Sequence, residues 1–394
     1  MQVKFPDRCK KAIVRPLLKK KTLDPNDPSS YRPISNLSFV SKVVEKVVDA
    51  RLTEHSNKFE LFPVFQSAYR PHHLTETAVV CILDGMIRAV DQGHVGAMMM
   101  MDMSAAFDTV DHKILMDVLR RRFGVEGNAL SWLAEFLNGR TQVVSAGQKE
   151  SDSTTLFFGL PQGSVLGPKS FIQYAEDAAS IWEQHQLCHH FYADDMQGYS
   201  HGKPSDAHII VSTIERCAAD VSTWCASKRL QLNGNKTEVM WFGTPAGLRK
   251  IPPQAGSIHV DHSVVEPVSA VRDLGVIVDA ELTMQVHVNR TAQTCFYHLR
   301  RLRSVRQQLG RDVTAQLVSA LVLSRLDYCN AVLADLPAST LAPFQKVLHA
   351  AARLVLGLRP RDHVSSALKE LHWLPIMPRI QYKLCLFVHK ASIG

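Results

Sequence analysis

The sequence predicts a mixed α/β body followed by a helical C-terminal unit. Three observations carry this. An apolar run at 97–101, within "GAMMMMDM" and too short for a membrane, ends abruptly at an acid, Asp102. Two sheet-forming stretches, "HHFY" and "MQGY", flank the adjacent acids Asp194 and Asp195. From about residue 284 onward, apolar residues recur almost entirely at helical spacing.

Composition limits the function. The 394 residues suffice for a large core and two or three subdomains. A hydrophobic content of 46% fits a folded protein. The formal charge of +8, with pI near 9.0, points to an acidic partner, nucleic acid first. The charged start lacks the apolar run of a secretory signal, and no stretch approaches a membrane span, so no membrane partner is expected. Eight scattered cysteines without a CxxC pair read as reduced thiols of an intracellular protein. Cys188, His189 and His190 adjoin, but no second ligand pair at zinc spacing follows.

Taken in order, "AIVRPLL" reads as a strand, "KKK" as a basic turn and "DPNDPSSYRP" as a loop kept from helix by its prolines. Val40, Val43, Val44, Val47 and Val48 mark a helix over 38–52. A second helix spans about 75–92 and stops at Gly93. After the strand at 97–101, Asp108 or Thr109 caps a helix with Ile114, Leu115, Val118, Leu119 and Phe123 on its apolar face, and Gly124 ends it. Residues 141–158 suggest a hairpin, and a helix then runs from "GLPQGSVLGP" towards Gln186. A helix near 206–229 precedes a turn, "LNGNKT", and a strand.

Adjacent carboxylates repel and lose hydration when covered. A cation shared between Asp194, Asp195 and a third acid would remove that conflict; an exposed turn rich in Asp is the alternative. Asp102, 92 residues earlier, is also at a strand end, where one sheet can bring distant residues together. Three such acids suit two Mg²⁺ ions, with Mn²⁺ as a substitute. Two ions about 4 Å apart activate a 3′ hydroxyl and stabilise a leaving pyrophosphate.

The segments "MDMSAAFDTVDH", "GLPQGSVLGP", "FYADD" and "LNGNKT", in that order, resemble a reverse transcriptase of the non-LTR (LINE-type, Jockey and chicken-repeat) retrotransposons. "SYRPISNL", "QSAYR", "SRLDYCNAVLADLP" and "LRPRDHVSSALKELHWLP" extend the resemblance over essentially the whole chain. It implies a right-hand polymerase, α+β in class. Residues 1–93 would be truncated fingers, 94–283 a palm with an interleaved fingers segment, and 284–394 a helical thumb. Its partners would be an RNA template, a DNA primer and dNTPs; its place, the nucleus or a cytoplasmic RNA particle.

The resemblance also assigns roles. Asp102, Asp194 and Asp195 match the catalytic aspartates, with the Met103 carbonyl facing a metal. Lys236 matches the lysine that protonates the leaving pyrophosphate. Arg32 matches the triphosphate-binding arginine, and Lys19 adds charge beside it. Phe107 stands where the family places a steric gate against the 2′ hydroxyl, although ordinary core packing is the alternative from spacing alone. Gly163 permits close backbone approach, and Gln162 would bond the nucleotide or support the template. "VRDLGVIVD" resembles the strand–turn–strand that grips the primer end. Arg300, Arg301, Arg303 and Arg306 lie on a helix that would track template–primer phosphates, with a solvated helix face as the competing reading.

Three departures stand out: Lys169 and Ser170 at core-facing positions, and Leu74 where a small polar residue is usual. A buried, unpaired lysine is costly. With no endonuclease segment in this sequence, the resemblance implies a polymerase fragment that does not nick its own target. The competing expectation is a decayed relic that keeps RNA binding without turnover.

Overall fold

The computed structural model describes residues 4–20, 22–260 and 263–393. The expected basic turn at 19–21 reaches residue 21, which lies outside them. Two sheets organise the first two thirds of the chain.

The first sheet begins with β1 (Lys11–Leu18) and β2 (Tyr31–Asn36), antiparallel with Leu17 opposite Arg32. The expected loop at 31–33 is therefore a strand. Pro33 is tolerated because β2 lies at the sheet edge, where no inner neighbour needs its missing N–H. Helix α1 (Phe39–Lys58) follows, capped by the Ser38 side chain, which accepts from the Ser41 N–H. It is longer than expected, and only part of its valine stripe meets the core: Val44 and Val48 are half-buried against it. Val40, Val43 and Val47 are exposed, whereas Ser41, Glu45, Leu52 and Ser56 are buried.

Helix α2 (Thr75–Asp91) ends at Gly93, which takes φ 77°. Its first turn is closed without a polar cap residue: the Thr77 hydroxyl accepts from the Leu74 N–H at 3.0 Å. Strand β3 (Val95–Met101) is buried on both faces, as its unbroken apolar run requires. Helix α3 (His112–Arg121) is capped by Asp111, not by Asp108 or Thr109. A 3-10 turn at Ala106–Asp108 takes up the intervening residues. Helix α4 (Gly127–Leu137), unanticipated from sequence, starts after Glu126, whose side chain makes no capping hydrogen bond.

The expected hairpin is β4 (Arg140–Ala146) with β5 (Lys149–Glu150), and β6 (Thr154–Leu156) also pairs with β4. β4 runs parallel to β1, so residues 140–156 complete the N-terminal sheet. In place of the single expected helix there are two, α5 (Leu166–Tyr174) and α6 (Ala178–Gln184).

The second sheet has the order β7–β8–β3–β9, with β7 (Cys188–Tyr192), β8 (Asp195–Gly202) and β9 (Glu238–Phe242). Helix α7 (Ala207–Ser227) packs against it. Beyond β9 come α8 (Pro245–Leu248) and the short hairpin β10 (Ile258–Val260) and β11 (Ser263–Val265). β12 (Ala270–Asp273) and β13 (Val276–Asp279) form a second hairpin. Its turn, Leu274–Gly275, has positive φ at both residues, the geometry a two-residue hairpin favours.

The rest is helical, as expected: α9 (Gln285–Val305), α10 (Arg311–Val318), α11 (Ser324–Asp327), α12 (Ala338–Leu356), α13 (Ser365–Glu370) and α14 (Ile376–Ile393). They share a second core with α2 and the β12–β13 hairpin. Among the described residues, no helix is long and apolar enough to cross a membrane.

Lys169 reaches a partner. Its side chain, 7% exposed, puts Nζ 2.6 Å from Asp49 Oδ1 and also donates to the Thr53 hydroxyl. The expected unpaired charge is thus an ion pair between α5 and α1. Ser170 is buried beside it.

Candidate active site

β3 and β8 pair from Val95↔Gly202 to Met101↔Met196. One step further along this register, Asp102 comes opposite Asp195. β7 and β8 close on each other through Tyr192↔Asp195, leaving Ala193 and Asp194 as the turn. Ala193 takes φ 59°, an unfavourable conformation for a residue with a Cβ. The turn is held in place from outside: Gln66 Oε1 accepts from the Ala193 N–H at 3.1 Å and from the Ala68 N–H at 2.9 Å. Segment 65–67 also runs along β7, exchanging backbone bonds with Phe191. "QSAYR" thus acts as a brace for the acidic turn.

Residues 231–233 line the other side of the β3 end. The Asn233 N–H donates to the Asp102 carbonyl at 2.9 Å, and the Ser104 N–H to the Gln231 carbonyl at 2.8 Å. Met103 faces Leu232 between these two bonds. In such a pair the central residue's own carbonyl points away from its partner, here towards the β7–β8 side. The following turn, Gly234–Lys236, brings Lys236 back over the site, with Nζ 2.7 Å from Asp102 Oδ2.

The electrostatics follow from this convergence. Burial, chiefly, raises the Asp194 pKa; the Asp102 charge adds to this and Lys236 opposes it. Asp195 is pushed up to about 6 by burial, then by Asp194 and Asp102, against the pull of Lys236. Asp273 on β12 is a fourth acid in the neighbourhood. It is 2% exposed and is raised to about 7 by burial first and Asp195 second, with a Gln197 hydrogen bond opposing. Tyr69 is raised by burial and by the charges of Asp194, Tyr192 and Asp195.

Among the described residues, no three His, Cys, Asp or Glu side chains are gathered closely enough to enclose a metal ion. The donor chemistry nonetheless fits a hard divalent cation: carboxylate oxygens, a nearby carbonyl and an excess of negative charge.

The remaining expected residues surround this centre unequally. Phe107 is half-buried, its ring stacked on that of Phe171 at 4.8 Å and 22°. Its carbonyl accepts from the Leu160 N–H at 2.7 Å, which sets the "GLPQG" segment against it. Gln162 Nε2 donates to Asp108 Oδ1 at 2.9 Å, so in this arrangement its amide is engaged by protein. Gly163 has φ 78°, and a Cβ there would lie 2.9 Å from the Ser35 carbonyl. That close approach joins the loop to β2, the strand of Arg32. Arg32 and Lys19 are both exposed, and no hydrogen bond or ion pair among the described residues links Arg32 to the acids.

Sequence reasoning missed Glu45, Tyr69, Gln66 and Asp273. The family-like string "QSAYR" holds Gln66 and Tyr69, and "VRDLGVIVD" holds Asp273; Glu45 had no such signal.

Residues 18–321 match the family described as reverse transcriptase (RNA-dependent DNA polymerase). The chain belongs to the reverse transcriptase family. Its α+β architecture is accordingly that of a right-hand polymerase with a helical C-terminal region. The chain is 26% identical over 305 residues to the probable RNA-directed DNA polymerase from transposon BS of Drosophila melanogaster, covering 76% of this chain and 33% of that protein. It is 24% identical over 294 residues to the RNA-directed DNA polymerase from mobile element jockey of the same species, covering 73% and 31%. The match thus spans about a third of these relatives. Among solved structures, apo telomerase from Candida tropicalis is similar at 12% identity and a TM-score of 0.49, over 88% of this chain and 62% of that one. A likeness this loose adds nothing to the family match.

Proposed function

We propose that this reverse transcriptase chain adds dNTPs to a DNA 3′ end on an RNA template. The observation that carries the proposal is the meeting of Asp102 with the Asp194–Asp195 turn under Lys236. Residues 1–93 would act as fingers, 94–283 as palm with the interleaved 140–156 segment, and 284–394 as thumb.

Asp102, Asp194, Asp195 and the Met103 carbonyl would hold the divalent cations, two Mg²⁺. When bound, these lower the pKa of the attacking 3′ hydroxyl and neutralise charge on the transferred phosphoryl group. The protein orients and neutralises around that chemistry. Lys236, beside Asp102, is placed to give a proton to the departing pyrophosphate. Arg32, with Lys19, presents donors to the triphosphate from the β1–β2 edge. The Phe107 ring, fixed by Phe171, would exclude a 2′ hydroxyl. Gln162 would exchange its Asp108 bond for nucleotide or template.

Extension of a primer on a homopolymeric RNA tests this. Incorporation by purified protein that falls at least ~10³-fold in Asp194→Asn supports the reading. Retention of the RNA without incorporation by the wild-type chain refutes it.

A further inference from the structure

The eight cysteines are free thiols, and three of them, Cys81, Cys188 and Cys385, are exposed. Two of these three come together. β7 and β8 pair with Cys188 opposite Tyr199, so both side chains leave the sheet on one face. Helix α2 packs on β7. It comes close because Gly85 has no side chain: a Cβ there would run into the Tyr199 hydroxyl. Cys81 precedes Gly85 by one helical turn and shares its face of α2. Tyr199 thus spans from sheet to helix, and each element brings a thiol to it.

The electrostatics agree. Burial first, then Cys188, Cys81 and Asp84, raise the pKa of the Tyr199 hydroxyl. Burial first, then Asp84 and Cys188, raise that of the Cys81 thiol. The two thiols therefore act on each other as well as on the tyrosine between them. Among the described residues no third metal-ligating side chain joins them. The close approach at Gly85 also suits a disulfide, which spans only about 5.5 Å between Cα atoms.

We propose that Cys81 and Cys188 are a redox-sensitive pair, which a small disulfide such as oxidised glutathione converts into a bond between α2 and β7. Cys188, as thiolate, attacks one sulfur of oxidised glutathione; that S–S bond breaks and one glutathione thiolate leaves. Cys81, as thiolate, then attacks the Cys188 sulfur of the mixed disulfide and expels the second. Two protein thiols are oxidised and one glutathione disulfide is reduced. The two protons released end on the two glutathione thiolates. Cys81, whose thiol holds its proton more tightly than usual, is the second to react.

The bond would couple two parts of the fold. α2 belongs to the core shared with the C-terminal helices, and β7 runs into the Ala193–Asp194 turn. Oxidation would fasten that core to the strand that presents the acidic turn, closing a loop of roughly a hundred residues.

The test uses the full chain, reduced, freed of reductant and incubated at graded ratios of oxidised to reduced glutathione. After alkylation, mass-spectrometric peptide mapping without reduction is expected to show a Cys81–Cys188 cross-link. Cys81→Ser should stop at a glutathione adduct on Cys188, and Cys188→Ser should give no cross-link. Cys385→Ser, which removes the third exposed thiol, should cross-link like wild type. Oxidised wild type should melt ~3–5 °C above the reduced protein, a difference that dithiothreitol or either serine variant at 81 or 188 abolishes. Glutathione adducts on both cysteines without a cross-link overturn the proposal. So do bonds to Cys385 or between chains in place of the 81–188 bond, or two unmodified thiols at the highest ratio. A cross-link that lowers Tm overturns it too, because the thiols would then meet only once α2 has left β7.

Discussion

Lys236 Nζ lies 2.7 Å from Asp102 Oδ2, so one of the three converging acids is neutralised by the chain's own cation. The surplus charge falls on the other two, and it has a thermodynamic consequence at Asp195. Its folded pKa, about 6, is above the ordinary carboxylate value of 3.8, so the folded state holds its proton more tightly than the unfolded chain does. Stability from this group is present below pH 3.8 and is lost as pH rises to about 6.

Asp195→Asn removes that loss. The carboxyl is partly open to solvent, so its effect is discounted to about 1 kcal/mol, or a Tm gain of ~2 °C at pH 7. The gain should vanish near pH 3.5, while extension is abolished at every pH. Thermal melts at the two pH values check this, in metal-free buffer. An equal shift at both would mean that Asp195 charge is not the cause.

The Lys169–Asp49 pair gives a contrasting case, a buried charge that is satisfied. Asp49→Ala leaves the ammonium buried with only hydroxyl and carbonyl oxygens, Thr53 and the residue 49 carbonyl. We expect a loss of about 2–3 kcal/mol in urea unfolding. Lys169→Met, which removes the charge and keeps the volume, should cost less than about 1 kcal/mol or stabilise.

These two sites show where sequence is informative. Asp102 is readable because an apolar run ends at it, and the Asp194–Asp195 turn because sheet-forming residues bracket it. Position 169 misleads because its counter-ion lies 120 residues away on another helix. β2 is hidden by Pro33, which only an edge position tolerates. In α1 the valine periodicity marks only part of the covered face: Val44 and Val48 pack on the core, beside Glu45, whose hydrogen bonds reach residues distant in sequence.

Phe107 combines the two roles that spacing alone leaves open. Its ring packs on buried Phe171, yet it is only half covered. Phe107→Val should cost about 1–2 kcal/mol of stability and admit ribonucleotides. The ratio of kcat/KM for dNTP over rNTP, measured on one template, should fall at least tenfold. Loss of stability with unchanged sugar selection would leave Phe107 as core alone.

Glu45 connects the two segments that carry Arg32 and Gln162. It is 0% exposed, on the helix that follows β2. Its Oε1 accepts from the Ser41 hydroxyl at 2.6 Å; its Oε2 accepts from the Val165 N–H at 2.7 Å and from the Leu166 N–H at 3.3 Å, at the start of α5. A carboxylate there meets free N–H groups and the positive end of the helix. Glu45→Ala leaves those donors buried and unpaired, at a cost of about 2–4 kcal/mol. Because the Gly163 loop immediately precedes α5 and rests on β2, loosening it should raise KM for dNTP several-fold more than it lowers kcat. Glu45→Gln, which keeps one acceptor oxygen, should fall between alanine and wild type in both measures. Steady-state kinetics with urea unfolding separate the effects: lost stability with unchanged KM would confine Glu45 to holding the helices together.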